Sequence, residues 1–118
     1  GIYVERLRLI DDEPAVLDCD YLFSPPIDDL PKEAAENSIY DYIENKLGLD
    51  ISYATKVITV EKIDDKCQKL LQLEDSLAVL VASHNFLNDT TLFQLTLSFH
   101  NPSKFKFVDF ARRQKIKL

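Results

Sequence analysis

Glycine is scarce in this chain, with two among 118 residues, and there is no internal repeat or low-complexity stretch. That excludes a fibrous repeat and leaves no glycine-rich loop to cradle a nucleotide phosphate. Cysteine and histidine are scarce too: Cys19 and Cys67 lie far apart, as do His84 and His100. Neither pair has metal-ligand spacing, so no metal or cofactor is expected. No apolar run approaches the roughly 20 residues that span a bilayer, so no membrane contact is expected. The N-terminus has no basic segment leading into an apolar stretch, so no export signal is expected. A cytoplasmic location follows as an expectation, with both thiols reduced and buried.

What is present suits one soluble globular domain: 46% hydrophobic and 29% charged residues supply one core. The formal net charge of −6 repels a phosphate backbone, so DNA contact is expected only through a segment outside this chain. The carboxylates are scattered, as on a solvated surface. The basic residues gather late, in Lys104, Lys106, Arg112, Arg113, Lys115 and Lys117. That cluster is either a solvated end or a contact for DNA or a partner.

Tyr3 to Ile10 alternates as a strand, Asp11-Asp12-Glu13-Pro14 turns, and Ala15 to Phe23 resumes as a strand, which predicts a hairpin. Ser24-Pro25-Pro26 breaks the pattern, and an acidic loop is expected to about Glu36. Asn37 or Ser38 caps a predicted helix to about Leu47, with Gly48 just past its end. Ile39, Ile43 and Leu47 fall on one helix face, with Tyr40 alongside. Ile51 to Glu61 is β-branched and reads as a strand. A short helix from Asp64 or Asp65 to Leu71 follows. Strands are predicted over Leu77 to Leu87, Thr91 to His100 and Lys104 to Phe110. Together these make an α+β domain, an antiparallel sheet flanked by helices.

Arg6 and Arg8 leave the same face of their strand. With a two-residue hairpin loop they share that face with Leu17 and Cys19, and two guanidinium groups beside apolar neighbours call for an anion such as phosphate. On an open face they are simply solvated. Asp18 and Asp20 then point away; a three-residue loop flips the parity and brings Asp18 towards Arg8. Asn37-Ser38-Ile39-Tyr40-Asp41 offers free backbone N–H groups, a hydroxyl and a phenol to an anion. The same residues also read as a plain N-cap. Gln94 lies in an apolar strand, where its amide either meets a ligand hydroxyl or satisfies its neighbours. Ser98 and His100 share a strand face with no third partner evident, and no catalytic set is expected.

Several segments together resemble one family. Glu5-Arg6-Leu7-Arg8-Leu9-Ile10-Asp11-Asp12-Glu13-Pro14 is similar to the opening hairpin of the UTRA domain, the effector domain of HutC-type regulators in the GntR family. Asn37 to Glu44 and Gly48 to Ala54 resemble that family's helix start and the segment after it. Lys104 to Arg113 looks most like the trehalose operon repressors of Gram-positive bacteria. The resemblance covers nearly the whole chain, residues 1–118, and implies a chorismate-lyase-like sheet flanked by helices. It implies no enzyme but an effector-binding domain for a sugar phosphate, by resemblance trehalose 6-phosphate, in a homodimer. It implies DNA binding through a winged helix-turn-helix, which in relatives precedes this point together with an early piece of the effector domain. By motif position, Arg6 and Arg8 correspond to a phosphate-binding pair, and Ser38, Ile39 and Tyr40 to the helix-start contacts. Asp18 stands where relatives place an acid that meets the sugar. Gln94 stands where many carry glutamate, and Ser98-Phe99-His100-Asn101 replaces a more basic stretch. A dimerisation-only module and a lyase-like enzyme are the alternatives.

Overall fold

A computed structural model describes residues 1–106. Five strands form one antiparallel sheet: β1 (Ile2–Ile10), β2 (Glu13–Leu22), β3 (Ile51–Lys62), β4 (Leu77–Leu87) and β5 (Leu92–His100), in the order β1-β2-β5-β4-β3. Helix α1 is Lys32–Glu36, α2 is Ile39–Asp41, and α3 is Asp65–Leu71. The expected antiparallel sheet with helices is therefore the observed fold.

The β1–β2 hairpin decides where the site lies. Its loop is Asp11-Asp12, both with positive φ (51° and 64°), the mirror-image turn that matches strand twist. A bulge then intervenes: Arg8 pairs with Val16 but Leu9 pairs with Pro14, leaving Ala15 without an opposite number. The extra residue flips the side-chain parity of everything after it. Arg6 consequently lies opposite Asp18, not Leu17, and the apolar surroundings expected from a two-residue loop are not what the arginines meet.

Each face of the sheet is covered by a helix. On one face, Ile39 and Ile43 bury against Leu22, Ile27, Leu87 and Phe93. On the other, Cys67 and Leu71 of α3 pack on Leu17 and Cys19 of β2. Both thiols are buried and unpaired, and burial pushes Cys67 up to about 11, which keeps it a protonated core group.

Three elements depart from the expected pattern. Lys32–Glu36 is helical where an acidic loop was predicted; Lys, Glu and two alanines are all strong helix formers. The helix after Ser38 is α-helical only to Asp41 and continues as a π-helix over Tyr42–Lys46. The wider turn rotates Leu47 off the face that buries Ile39 and Ile43; Leu47 is exposed and Tyr42 packs on the core in its place. Gly48 ends the segment at φ 67°. Lys104 lies in a turn, not a strand, and its ammonium pairs with Glu13. Phe105 and Lys106 belong to no strand either, and the remainder of the predicted last strand, residues 107–110, together with Arg112, Arg113, Lys115 and Lys117, lies outside the described residues.

Candidate functional site

A cavity of about 380 Å³ opens between the helix start and the face of β1, β2 and β5. Its lining includes Arg6, Arg8, Asp18, Ser38, Ile39, Tyr40 and Gln94, with Asn37, Asp20, Thr96 and Ser98 completing the wall. The structure thus gathers all seven residues singled out from the sequence around one space. Four further positions that sequence reasoning left out of the site, or weighed otherwise, stand beside them. The signal for those on β5 was the spacing Gln94, Thr96, Ser98: polar side chains at every second residue of a strand share one face.

Each arginine is held by a carboxylate across the hairpin. Arg6 donates through Nε and Nη2 to Asp20 Oδ2 at 3.3 and 2.9 Å. Arg8 approaches Asp18 with Nε 2.7 Å from Oδ2 and Nη2 3.3 Å from Oδ1. The two pairs are not equivalent. Asp20 is shut in by Gln94 Nε2 at 3.0 Å and Thr96 Oγ1 at 2.8 Å. Asp18 accepts one further bond, from Ser98 Oγ at 2.6 Å. The Arg8 side chain is 56% exposed and that of Arg6 32%.

Asp18 and Asp20 reach this face only because of the Ala15 bulge. Both are buried charges, and such charges persist only when paired and hydrogen-bonded. Gln94 is buried with both ends of its amide engaged: Nε2 donates to Asp20, and Oε1 accepts from Asn85 Nδ2 at 2.8 Å. Asn85 in turn accepts from Ser83 Oγ at 2.8 Å.

The helix start forms the opposite wall. Ser38 Oγ accepts from the Asp41 backbone N–H at 3.1 Å, an N-cap that leaves its own proton free to donate. Tyr40 sits edge-on to Phe93, ring centroids 6.4 Å apart. Burial and the nearby Asp20 charge hold its phenol above the usual range, against a hydrogen bond from Asn85 that lowers it. Ser98 and His100 do not make a nucleophile and base: the Ser98 proton goes to Asp18. The imidazole stacks edge-on to Phe105 at 5.0 Å, and its pKa is lowered by burial and then by Arg8. Among the described residues, no group of three or more His, Cys, Asp or Glu is placed to hold a metal, and no helix is long and apolar enough to cross a membrane.

The chain can be set beside known proteins on this geometry. The family model described as the UTRA domain matches residues 1–106. The HTH-type transcriptional regulator TreR of Bacillus subtilis (strain 168) is 51% identical over 113 residues, 95% of this chain and 48% of the relative. The HTH-type transcriptional regulator GmuR of the same organism is 32% identical over 104 residues, 87% of this chain and 44% of the relative. The chain therefore spans about half the length of these curated relatives. Among solved structures, the effector binding domain of the B. subtilis trehalose repressor (TreR) superposes with a TM-score of 0.83 at 51% identity, covering 96% of this chain and 79% of that one. A GntR-family transcriptional regulator from Bacillus cereus gives a TM-score of 0.84 at 26% identity, covering 93% and 78%.

Proposed function

Because the chain belongs to the UTRA domain family, we propose that it is the effector-sensing part of a TreR-like transcriptional regulator, and that its cavity takes a phosphorylated disaccharide, trehalose 6-phosphate. The observation that carries this is one cavity that sets two partly exposed arginines beside carboxylate, amide and hydroxyl groups. Arginines suit a phosphate through paired N–H donors, and carboxylate, amide and hydroxyl groups suit sugar hydroxyls. A volume of about 380 Å³ lies at the small end of ligand pockets.

Arg8 is the arm that changes partner. Its side chain is more than half exposed while that of Asp18 is buried, so Arg8 is free to turn towards a phosphate provided that Asp18 gains new donors in its place. Asp18, released, then accepts from the sugar. Arg6 stays on Asp20 and offers its remaining N–H groups to the same phosphate, while Ser38 and the backbone at Ile39 close over it from the helix start. That draws the helix segment towards the sheet.

Transmission to DNA falls to the helix-turn-helix part that the names of the two curated relatives indicate, and it requires different effector affinity for two arrangements of the regulator. Two copies forming a homodimer in the cytoplasm complete the proposal. Strand β3 supports it, with Val57, Ile58 and Val60 exposed on the described edge of the sheet.

Calorimetric titration with trehalose 6-phosphate is the test. The intact chain is expected to bind, and an Arg6→Ala, Arg8→Ala double variant to lose at least a hundredfold in affinity, since two charge-assisted contacts of about 1.5–3 kcal/mol each are removed. Intact affinity in that double variant sinks the phosphate clamp.

A further inference from the structure

The buried polar groups behind the pocket form one chain with one possible direction. Asp20 accepts four hydrogen bonds: two from Arg6, one from Gln94 and one from Thr96. An ionised carboxylate has about four acceptor positions and no donor, so Asp20 has nothing left for a ligand. It also dictates its neighbours. The end of Gln94 that faces a carboxylate must be the NH₂ group, so its oxygen faces Asn85. Asn85 must answer with its own NH₂, and its oxygen is left to accept from Ser83. Asp20, Asn85 and Gln94 are 1%, 2% and 2% exposed, so water does not relieve a mismatch.

We propose that Asp20 is a positioning residue: it polarises the chain Asp20–Gln94–Asn85–Ser83 across β2, β5 and β4, and so makes the inner wall of the effector site a hydrogen-bond donor. The second N–H of Gln94 is free for the cavity. At Gln94 such a wall takes a ligand oxygen, hydroxyl or ether, and disfavours an ammonium group set against it, which can only donate; the sugar hydroxyls that donate go to Asp18. This rests on the effector-binding role proposed above and adds a specificity to it: a neutral sugar end, not an amino sugar.

The test is a polarity swap. Gln94→Glu alone sets two carboxylates against each other; Asp20→Asn alone presents Arg6 and Gln94 with an amide in place of a charge. Each is expected to lower trehalose 6-phosphate affinity at least tenfold and to lower the melting temperature. The double variant Asp20→Asn, Gln94→Glu restores the pattern. The amide introduced on β2 donates to the carboxylate introduced on β5. That carboxylate still accepts from Asn85, Arg6 still finds an oxygen, and net charge is unchanged. The double variant is expected to melt above both single variants and to bind within about threefold of the unaltered chain. Its inner wall is now an acceptor, so its affinity ratio of glucosamine 6-phosphate to glucose 6-phosphate should exceed that of the unaltered chain.

A double variant that is no better than the two losses combined, that fails to fold, or that leaves the ratio unmoved overturns the proposal. Should the unaltered chain not bind trehalose 6-phosphate at all, the effector role fails instead. The chain of hydrogen bonds is then judged on melting temperature alone: recovery in the double variant upholds it, and no recovery overturns it.

Discussion

His100 lies at the edge of the site with Arg8 and Asp18 as its charged neighbours, and its pKa is depressed first by burial and next by Arg8, with Asp18 pulling the other way. A base whose folded pKa is below its unfolded value gives up its proton more readily when folded. Between that depressed value and the ordinary 6.5 the unfolded chain binds more protons, so stability rises with pH across this window. Its contribution is whole above about 6.5 and is lost as pH falls through the depressed value. Thermal denaturation from pH 7 to pH 5 should therefore show a falling melting temperature whose slope flattens in His100→Gln. An unchanged slope would falsify this assignment. The residue types at the site were legible only in combination: the arginine pair reads equally as a solvated strand face and Asn37 to Asp41 as a plain N-cap, and it was their joint resemblance to one family that singled them out. Asp20 was harder. Its importance depends on which way it faces, and no residue type carries that information.

The hairpin shows why facing was not legible at the scale of the element. Register is read from alternation, and alternation needs one wet face. Strand β2 runs through the middle of the hairpin and the core, and Ala15 to Asp20 are all buried, on both faces. Leu17 to Tyr21 alternate apolar and charged residues, but with both faces buried the alternation does not say which set meets the arginines, and the Ala15 bulge that decided the matter leaves no mark in residue type. The turn itself was legible from Asp11-Asp12, and it carries a cost. Both residues hold left-handed φ, a region that L side chains enter at an expense glycine avoids. Asp11→Asn with Asp12→Gly, the pairing this turn type favours, should raise the unfolding free energy by about 1 kcal/mol in urea denaturation. Neither residue lines the cavity, so effector affinity should stay the same. A loss of affinity would mean that the turn, and not the bulge, holds the arginines in place. The helix after Ser38 was legible at its start, where Ser38 caps it. Its π-helical continuation was not, because Tyr42 to Lys46 read equally well as an α-helix.

At the scale of the molecule the two helical layers have unequal relations to the cavity. The helix start at Ser38–Tyr40 forms one wall and β1, β2 and β5 the other, while α3 packs on the opposite face through Cys67 and Leu71. A ligand that spans the cavity ties the first layer to the sheet and touches nothing of the second. Binding to the folded chain alone stabilises it by about 2.7 kcal/mol at a hundredfold excess over Kd, which for a domain of this length raises the melting temperature by roughly 10 °C. Trehalose 6-phosphate should produce that rise, and the Arg6→Ala, Arg8→Ala variant should not. Hydrogen exchange should localise it. Under native conditions, where amides exchange by local opening, protection should grow at Ser38 to Ile43 and along β1, with Asp65–Leu71 nearly unchanged. Protection growing equally in α3 would mean that the ligand tightens the whole sheet or sits on the other face. The closing of the helix start onto the arginines could then no longer be the movement passed on to the rest of the regulator.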